Sequence, residues 1–216
     1  MKLINVDFSR VRVMTFDAGD TLLKPSPGVG IIYAEILGKH GVAVAPEVLE
    51  QRFRKVFKEL AARRPRPMVS EETERKFWRE VVRHCVTPEC AAEKTGAVFE
   101  ELWEEFALGR RWIIRAGMAQ MLEEYAAKPR VRLAVLSNWD SRLHRVLEGL
   151  DLRRYFAKVF ISSEIGAEKP DLRAFRAVEA AMGQPPEAFL HIGDDAAHDY
   201  TAARAAGWQA ILTRGQ

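Results

Sequence analysis

The sequence predicts an α/β protein, a doubly wound parallel sheet with an α-helical cap inserted after the first strand. Three observations carry this. Five short runs rich in β-branched and apolar residues, at 11–16, 131–137, 158–161, 189–192 and 208–212, have the length of fully buried parallel strands. From residue 131 onward these runs alternate with helical patterns, as in a Rossmann-like core. The stretch between the first two runs carries helical periodicity and no strand.

In chain order, run 11–16 ends in "FDAGDTLL". Segment 28–108 then holds four apolar sets: Ile32, Ile36 and Leu37; Leu49, Phe53, Val56 and Leu60; Phe77, Trp78, Val81 and Val82; Phe99, Leu102, Trp103 and Phe106. Each follows i, i+3, i+4, i+7 spacing and predicts one helix of a cap, its aromatics read as core packing rather than a cofactor box. The Pro-rich "RRPRPM" at 63–68 separates the second helix from the third. A helix over 116–127 leads into the second strand. Helices follow over 140–150, with Leu143, Val146 and Leu147, over 171–182, with Phe175, Val178 and Met182, and over 196–206, which is small and helix-prone. The expected division is residues 1–26 with 110–216 as core and 27–109 as cap.

Composition narrows the function classes. A chain of 216 residues, 48% hydrophobic, suits one domain or one with an inserted module. Its 33 basic and 30 acidic residues, net +3, lack the clustered basic footprint of a nucleic-acid binder. Cys85 and Cys90 are expected as free thiols in a reducing compartment. The N-terminal "MKLINVDFSR" has no apolar signal-peptide core, and no apolar run approaches about 20 residues. The expectation is a soluble cytoplasmic protein with neither membrane nor nucleic-acid partner. Oligomeric state leaves no mark on the sequence.

In an open α/β sheet, ligands sit beyond the carboxyl ends of the strands. Asp17 follows the first run, Ser137 and Asn138 close the second, and Lys169 lies in "GAEKPD" after the third. Gly193, Asp194 and Asp195 follow the fourth, with Asp199 one helical turn later. Taken singly, each reads as structure: a turn aspartate, "GDD" as a tight turn, "KP" as a loop, Asp140 as a helix N-cap, His191 as a satisfied core histidine. Trp139 either walls a pocket or packs beneath the cap, and Arg63, Arg64 and Arg66 read as a solvated loop. Together they gather carboxylates, a hydroxyl and a lysine on one rim. Hard oxygen ligands there suit Mg²⁺ shared with substrate phosphate, and a carboxylate nucleophile beside an anion site points to phosphoryl transfer.

The motifs "TFDAGDTLL", "LAVLSNWD", "GAEKPD" and "HIGDDAAHDYTAARAAGW" resemble the four motifs of the haloacid dehalogenase superfamily, over essentially the whole chain. The resemblance implies that Asp17 is the nucleophile forming an aspartyl-phosphate and also a Mg²⁺ ligand. Asp194 and the backbone carbonyl of Gly19 would be further ligands. Ser137, with Asn138 nearby, and Lys169 would hold the transferring phosphate, while Asp195 or Asp199 would act behind the metal ligands. A small phosphorylated molecule is the expected substrate.

The same resemblance marks a departure. Phosphatases of this kind carry Asp-x-Asp-x-Thr, whose second Asp moves the proton. Here the stretch is Asp17-Ala18-Gly19-Asp20-Thr21. Glycine retains a backbone carbonyl but no proton donor, and general acid–base catalysis is worth about 10²–10⁴-fold. Four readings stay open: activated acyl or aryl phosphates as substrates, Asp20 or His198 as substitute donor, a binding module without turnover, and a metal-independent dehalogenase, which the pair Asp194/Asp195 argues against. A cap lysine, Lys55 or Lys58, as in phosphonate cleavage, reads instead as a solvated helix face.

Overall fold

The computed structural model describes residues 6–64 and 69–213. Five parallel strands form the main sheet: β1 (Val13–Phe16), β4 (Arg132–Ser137), β5 (Phe156–Ile161), β6 (Phe189–Gly193) and β7 (Gln209–Leu212). Their order is β5-β4-β1-β6-β7, so β1 is central and pairs with both β4 and β6. All five expected strands form. Strand β5 starts two residues earlier than periodicity implied, because Phe156 pairs with Leu133 across a register shift.

Residues alternate between the two faces, as the pleat requires. Met14, Phe16, Leu133, Val135, Leu190 and Ile192 join one cluster with α5 (Met118–Ala126) and α6 (Arg142–Gly149). Val13, Ala134, Leu136 and Phe189 join the opposite cluster with α8 (Leu172–Met182) and Trp208. A short α7 (Ser162–Ile165) precedes α8, and α9 (Ala202–Ala205) precedes β7. The expected helix over 196–206 is α-helical only in α9. Residues Ala196–Thr201 form a π-helical segment in which Tyr200 N–H donates to the Asp195 carbonyl.

Between β1 and β4 the chain leaves the sheet through β2 (Leu23–Pro25) and returns through β3 (Trp112–Ile114). These pair antiparallel as a ribbon that periodicity missed, since three residues show no alternation. Among the described residues, four helices fill the excursion: α1 (Val29–Lys39), α2 (Pro46–Arg63), α3 (Glu71–Val86) and α4 (Ala92–Glu105). Pro46 opens α2, and a Ser70–Thr73 capping box opens α3. Their inner faces form a hydrophobic cluster of their own, around Ile32, Ile36, Leu49, Val81, Phe99 and Leu102. Cys85 and Cys90 are buried, free thiols within it. Residues 65–68 of the expected Pro-rich loop, including Arg66, lie outside the described residues, while Arg63 ends α2. Among the described residues, no helix is long and apolar enough to cross a membrane.

Candidate active site

The carboxyl ends of β1, β4 and β6 and the loop after α7 meet on one rim. Asp17 leaves β1 with its N–H bonded to the Ile192 carbonyl at 2.9 Å, which fixes its backbone against β6. Two donors converge on its Oδ1: Ser137 Oγ at 3.0 Å and Lys169 Nζ at 2.7 Å. Lys169 is only 2% exposed and also bonds Asp199 Oδ1 at 2.5 Å, so one cation bridges two carboxylates. The loop carrying Lys169 is pinned by Asn138, whose side chain accepts from Lys169 N–H at 2.8 Å and donates to its carbonyl at 2.7 Å. Asn138, expected at the phosphate, spends its side-chain amide on positioning the lysine.

Asp195 and Asp199 separate into different roles. Asp195 caps the helical turn after it, accepting from Ala197 and His198 N–H at 2.7 Å each and meeting His198 Nδ1 at 3.0 Å. Asp199 turns inward. Its Oδ2 accepts from Asp195 N–H at 2.9 Å, and its Oδ1 meets His191 Nε2 at 3.2 Å. A Cβ on Gly193 would lie 2.1 Å from Asp199 Cγ, so only glycine lets this carboxylate approach the strand. His191 is fully buried and its Nδ1 lies 2.8 Å from Thr15 Oγ1. Thr15 and His191 are register partners on adjacent strands. The satisfied core histidine is therefore a link in a chain, Thr15–His191–Asp199–Lys169–Asp17. The sequence carried no signal for Thr15 as a partner of His191, nor for the link to Asp199.

The electrostatics follow from burial and from one shared cation. Burial would lower the Lys169 ammonium, but Asp17 and Asp199 outweigh it and hold it charged. Burial, with the like charge of Asp199, raises the Asp17 carboxyl despite Lys169. Burial also pushes Asp199 up, yet the His191 hydrogen bond and the Lys169 charge hold it well below the usual carboxylate range. Burial and the Lys169 charge lower His191, which stays neutral.

Carboxylate oxygens of Asp17, Asp194 and Asp199 lie within 4.8 Å of one another. Such a set of hard oxygens fits a divalent cation of the Mg²⁺ type. Burial and the neighbouring carboxylates Asp199 and Asp20 raise the Asp194 carboxyl, against the Thr21 hydroxyl that donates to it at 2.8 Å. Both Asp199 oxygens are engaged, one by Lys169 and His191 and the other by Asp195 N–H, so Asp17 and Asp194 are the pair that would hold the cation, beside Gly19, which lines the same cavity.

That cavity, about 1190 Å³, lies between rim and cap. Asp20 takes a left-handed φ of 51° and its side chain, 74% exposed, lies 3.8 Å from Arg115 Nη1. Trp139 is partly buried, packs on Trp112 with ring centroids 5.0 Å apart, and lines the cavity, so it does both things expected of it. Asp140 caps the start of α6 as expected, one residue ahead of the assigned N-cap Ser141: its Oδ1 accepts from Arg142 N–H at 3.1 Å, and the fully buried carboxylate also pairs with the Arg142 guanidinium at 2.7 Å. Arg142 in turn lies 3.5 Å over the Trp103 ring of the cap. At the start of α3, Glu71 accepts from Ser141 N–H at 2.8 Å, from Ser141 Oγ at 3.0 Å and from Ser163 Oγ, clasping cap to core. Neither Arg142 nor Glu71 carried any sequence signal.

A family model described as haloacid dehalogenase-like hydrolase matches residues 11–207. Haloacid dehalogenase-like hydrolase domain-containing protein 3 of Mus musculus is 35% identical over 212 residues, covering 95% of this chain and 83% of the relative. Among solved structures, the magnesium-bound HAD-hydrolase YfnB of Bacillus subtilis superposes with a TM-score of 0.75 at 17% identity, over 94% of this chain and 89% of that one. The defluorinating L-2-haloacid dehalogenase Rha0230 superposes with a TM-score of 0.73 at 18% identity, over 94% and 80% respectively. With these matches spanning the sheet, the helical insertion and the rim, the chain belongs to the haloacid dehalogenase-like hydrolase family.

Proposed function

We propose that the protein is a Mg²⁺-dependent phosphatase of small phosphorylated molecules, working through an aspartyl-phosphate on Asp17. The observation that carries this reading is the convergence of Ser137 Oγ and Lys169 Nζ on Asp17 Oδ1, with Asp194 beside it. Both donors use Oδ1, which leaves Oδ2 to meet phosphorus. Asp17 attacks, the bond from phosphorus to the leaving oxygen breaks, and water then releases inorganic phosphate and returns the carboxylate. Lys169 stays cationic between Asp17 and the transferring group. Ser137 holds a phosphate oxygen once substrate displaces its bond to Asp17. Asp199 and His191 keep the lysine in place. The cation supplies neutralisation of charge shared by the carboxylates and phosphate.

In this reading residues 27–109 act as a cap over a core of 1–26 and 110–216, and the free buried cysteines suit a cytoplasmic setting. A metal-independent dehalogenase would have little use for Asp194 beside its nucleophile. The second reading, a binding protein without turnover, draws on Gly19: the position next to the nucleophile has no side chain to move a proton. Phosphate release from acetyl phosphate and para-nitrophenyl phosphate separates the two, measured with Mg²⁺ and with chelator, Asp17→Asn serving as blank. Release that needs both Mg²⁺ and Asp17 is expected. No release above the blank would sink the phosphatase reading.

A further inference from the structure

Resting on that reading, we propose that the substrate is the phosphate monoester of a phenol or similar aromatic alcohol, whose ring lies on an aromatic wall running from the nucleophile into the cap. Two independent observations meet here.

The first is the wall. At Gly19, two residues from Asp17, the nearest atom to a built Cβ is Cζ3 of Trp139, at 3.8 Å. From Trp139 the rings continue to Trp112 at 5.0 Å, Phe106 at 6.1 Å and Tyr33 at 6.1 Å. They go on to Phe53 at 6.1 Å and Trp78 at 6.5 Å. Every one of these residues lines the same cavity, which exceeds the roughly 300–1,000 Å³ usual for a small-molecule site. Phe57, on the same stretch of wall, is 38% exposed. Among the described residues, each arginine lining the cavity already has a carboxylate partner. Arg54 pairs with Glu50 at 3.0 Å, Arg64 with Glu74, and Arg142 with Asp140 at 2.7 Å. Lys24, exposed on β2, also lines the cavity.

The second is the state of the nearby proton donors. Asp20 leans to Arg115, His198 is held by Asp195, Asp194 accepts from Thr21, and Lys169 is locked between two carboxylates. A leaving group that departs as its anion meets no obstacle here. A phenol ionises near pKa 10, against about 15.7 for water, so phenolate leaves without a proton far more readily than an alkoxide. In the step, Asp17 bonds to phosphorus as the phosphorus–oxygen bond to the ring breaks. The electron pair leaves with phenolate, which takes a proton from solvent. Water then attacks phosphorus, the bond to Asp17 breaks with its electron pair returning to the carboxylate, and inorganic phosphate carries away the water oxygen.

The test is kcat/KM with Mg²⁺ for 2-naphthyl phosphate, propyl phosphate and acetyl phosphate, each against the Asp17→Asn blank. Naphthyl phosphate is expected to exceed propyl phosphate by about 100-fold or more. Trp139→Leu and Trp112→Leu, at the two rings that begin the wall, are each expected to lower the naphthyl-to-acetyl ratio about tenfold, chiefly through KM. Either variant serves if the other does not fold. Acetyl phosphate turned over with naphthyl and propyl phosphates within threefold of each other would overturn this inference alone. So would a naphthyl-to-acetyl ratio that neither tryptophan variant moves. No Asp17-dependent release from any of the three would overturn the phosphatase reading and this inference with it.

Discussion

The rim and the cap wall border one cavity, yet they are built on opposite terms. On the rim, Asp17, Ser137, Lys169, Asp199 and His191 come from four separate segments and hold each other at 2.5–3.2 Å. Each of these side chains has a designated partner, and Ser137 and His191 take their places from strand register. On the wall, rings stand about 5–6.5 Å apart and are held by shape, while Arg54 finds its partner on its own helix. The contrast teaches a division of labour. On the proposed function, chemistry would sit where displacement is costly, at the ends of paired parallel strands, and selection where one side chain can be exchanged for another of similar volume.

That contrast can be broken at several points. The largest effect is expected at the nucleophile: Asp17→Asn should cost roughly 10³-fold or more in kcat while the fold persists, read as phosphate release beside a melting curve. Asp199→Asn comes next. It removes a partner from a buried cation and should cost about 3 kcal/mol of stability. Its pH signature is distinctive. Because folding lowers the Asp199 pKa, its stabilisation is complete above the unfolded value of about 3.9 and is lost as pH falls below it. Denaturant midpoints should therefore fall more steeply below about pH 4 in the native protein than in Asp199→Asn.

Gly19→Asp sharpens the comparison from the other side. The added Cβ meets only Trp139, at an ordinary 3.8 Å, so a proton donor fits where the wall begins. It should raise turnover of alkyl phosphates about 10²-fold and shrink any aryl preference. The smallest effect is expected at the clasp. Glu71→Gln weakens the acceptor for Ser141 and Ser163 and should cost about 1 kcal/mol or less, with a change in tryptophan fluorescence as the cap loosens. A larger loss there would mean that the cap is as rigidly specified as the rim.

Much of this was legible beforehand, for physical reasons that stop at a definite point. The five strands of the sheet and the four cap helices were readable because burial imposes a local period on apolar residues. That Asp17, Ser137 and Asp194 gather on one rim was readable because strand ends in a parallel sheet share it, whereas Lys169 reaches it from the loop after α7. The ribbon of β2 and β3 was not, its strands being three residues each. The π-helical segment after Asp195 was not, since a composition of small residues does not distinguish it from an α-helix.

What the sequence determined by itself, then, is the set of elements and the inventory of reactive groups, because periodicity and motif spacing are local properties. Tertiary structure decided which groups touch. Lys169 meets Asp17 across 152 residues and Asn138 across 31, and no periodicity encodes which donor takes which acceptor. It separated Asp195, a helix cap, from Asp199, the carboxylate behind the lysine. It also brought aromatic residues of separate helices and of β3 around one cavity beside Asp17, a neighbourhood that helical period within each segment does not encode.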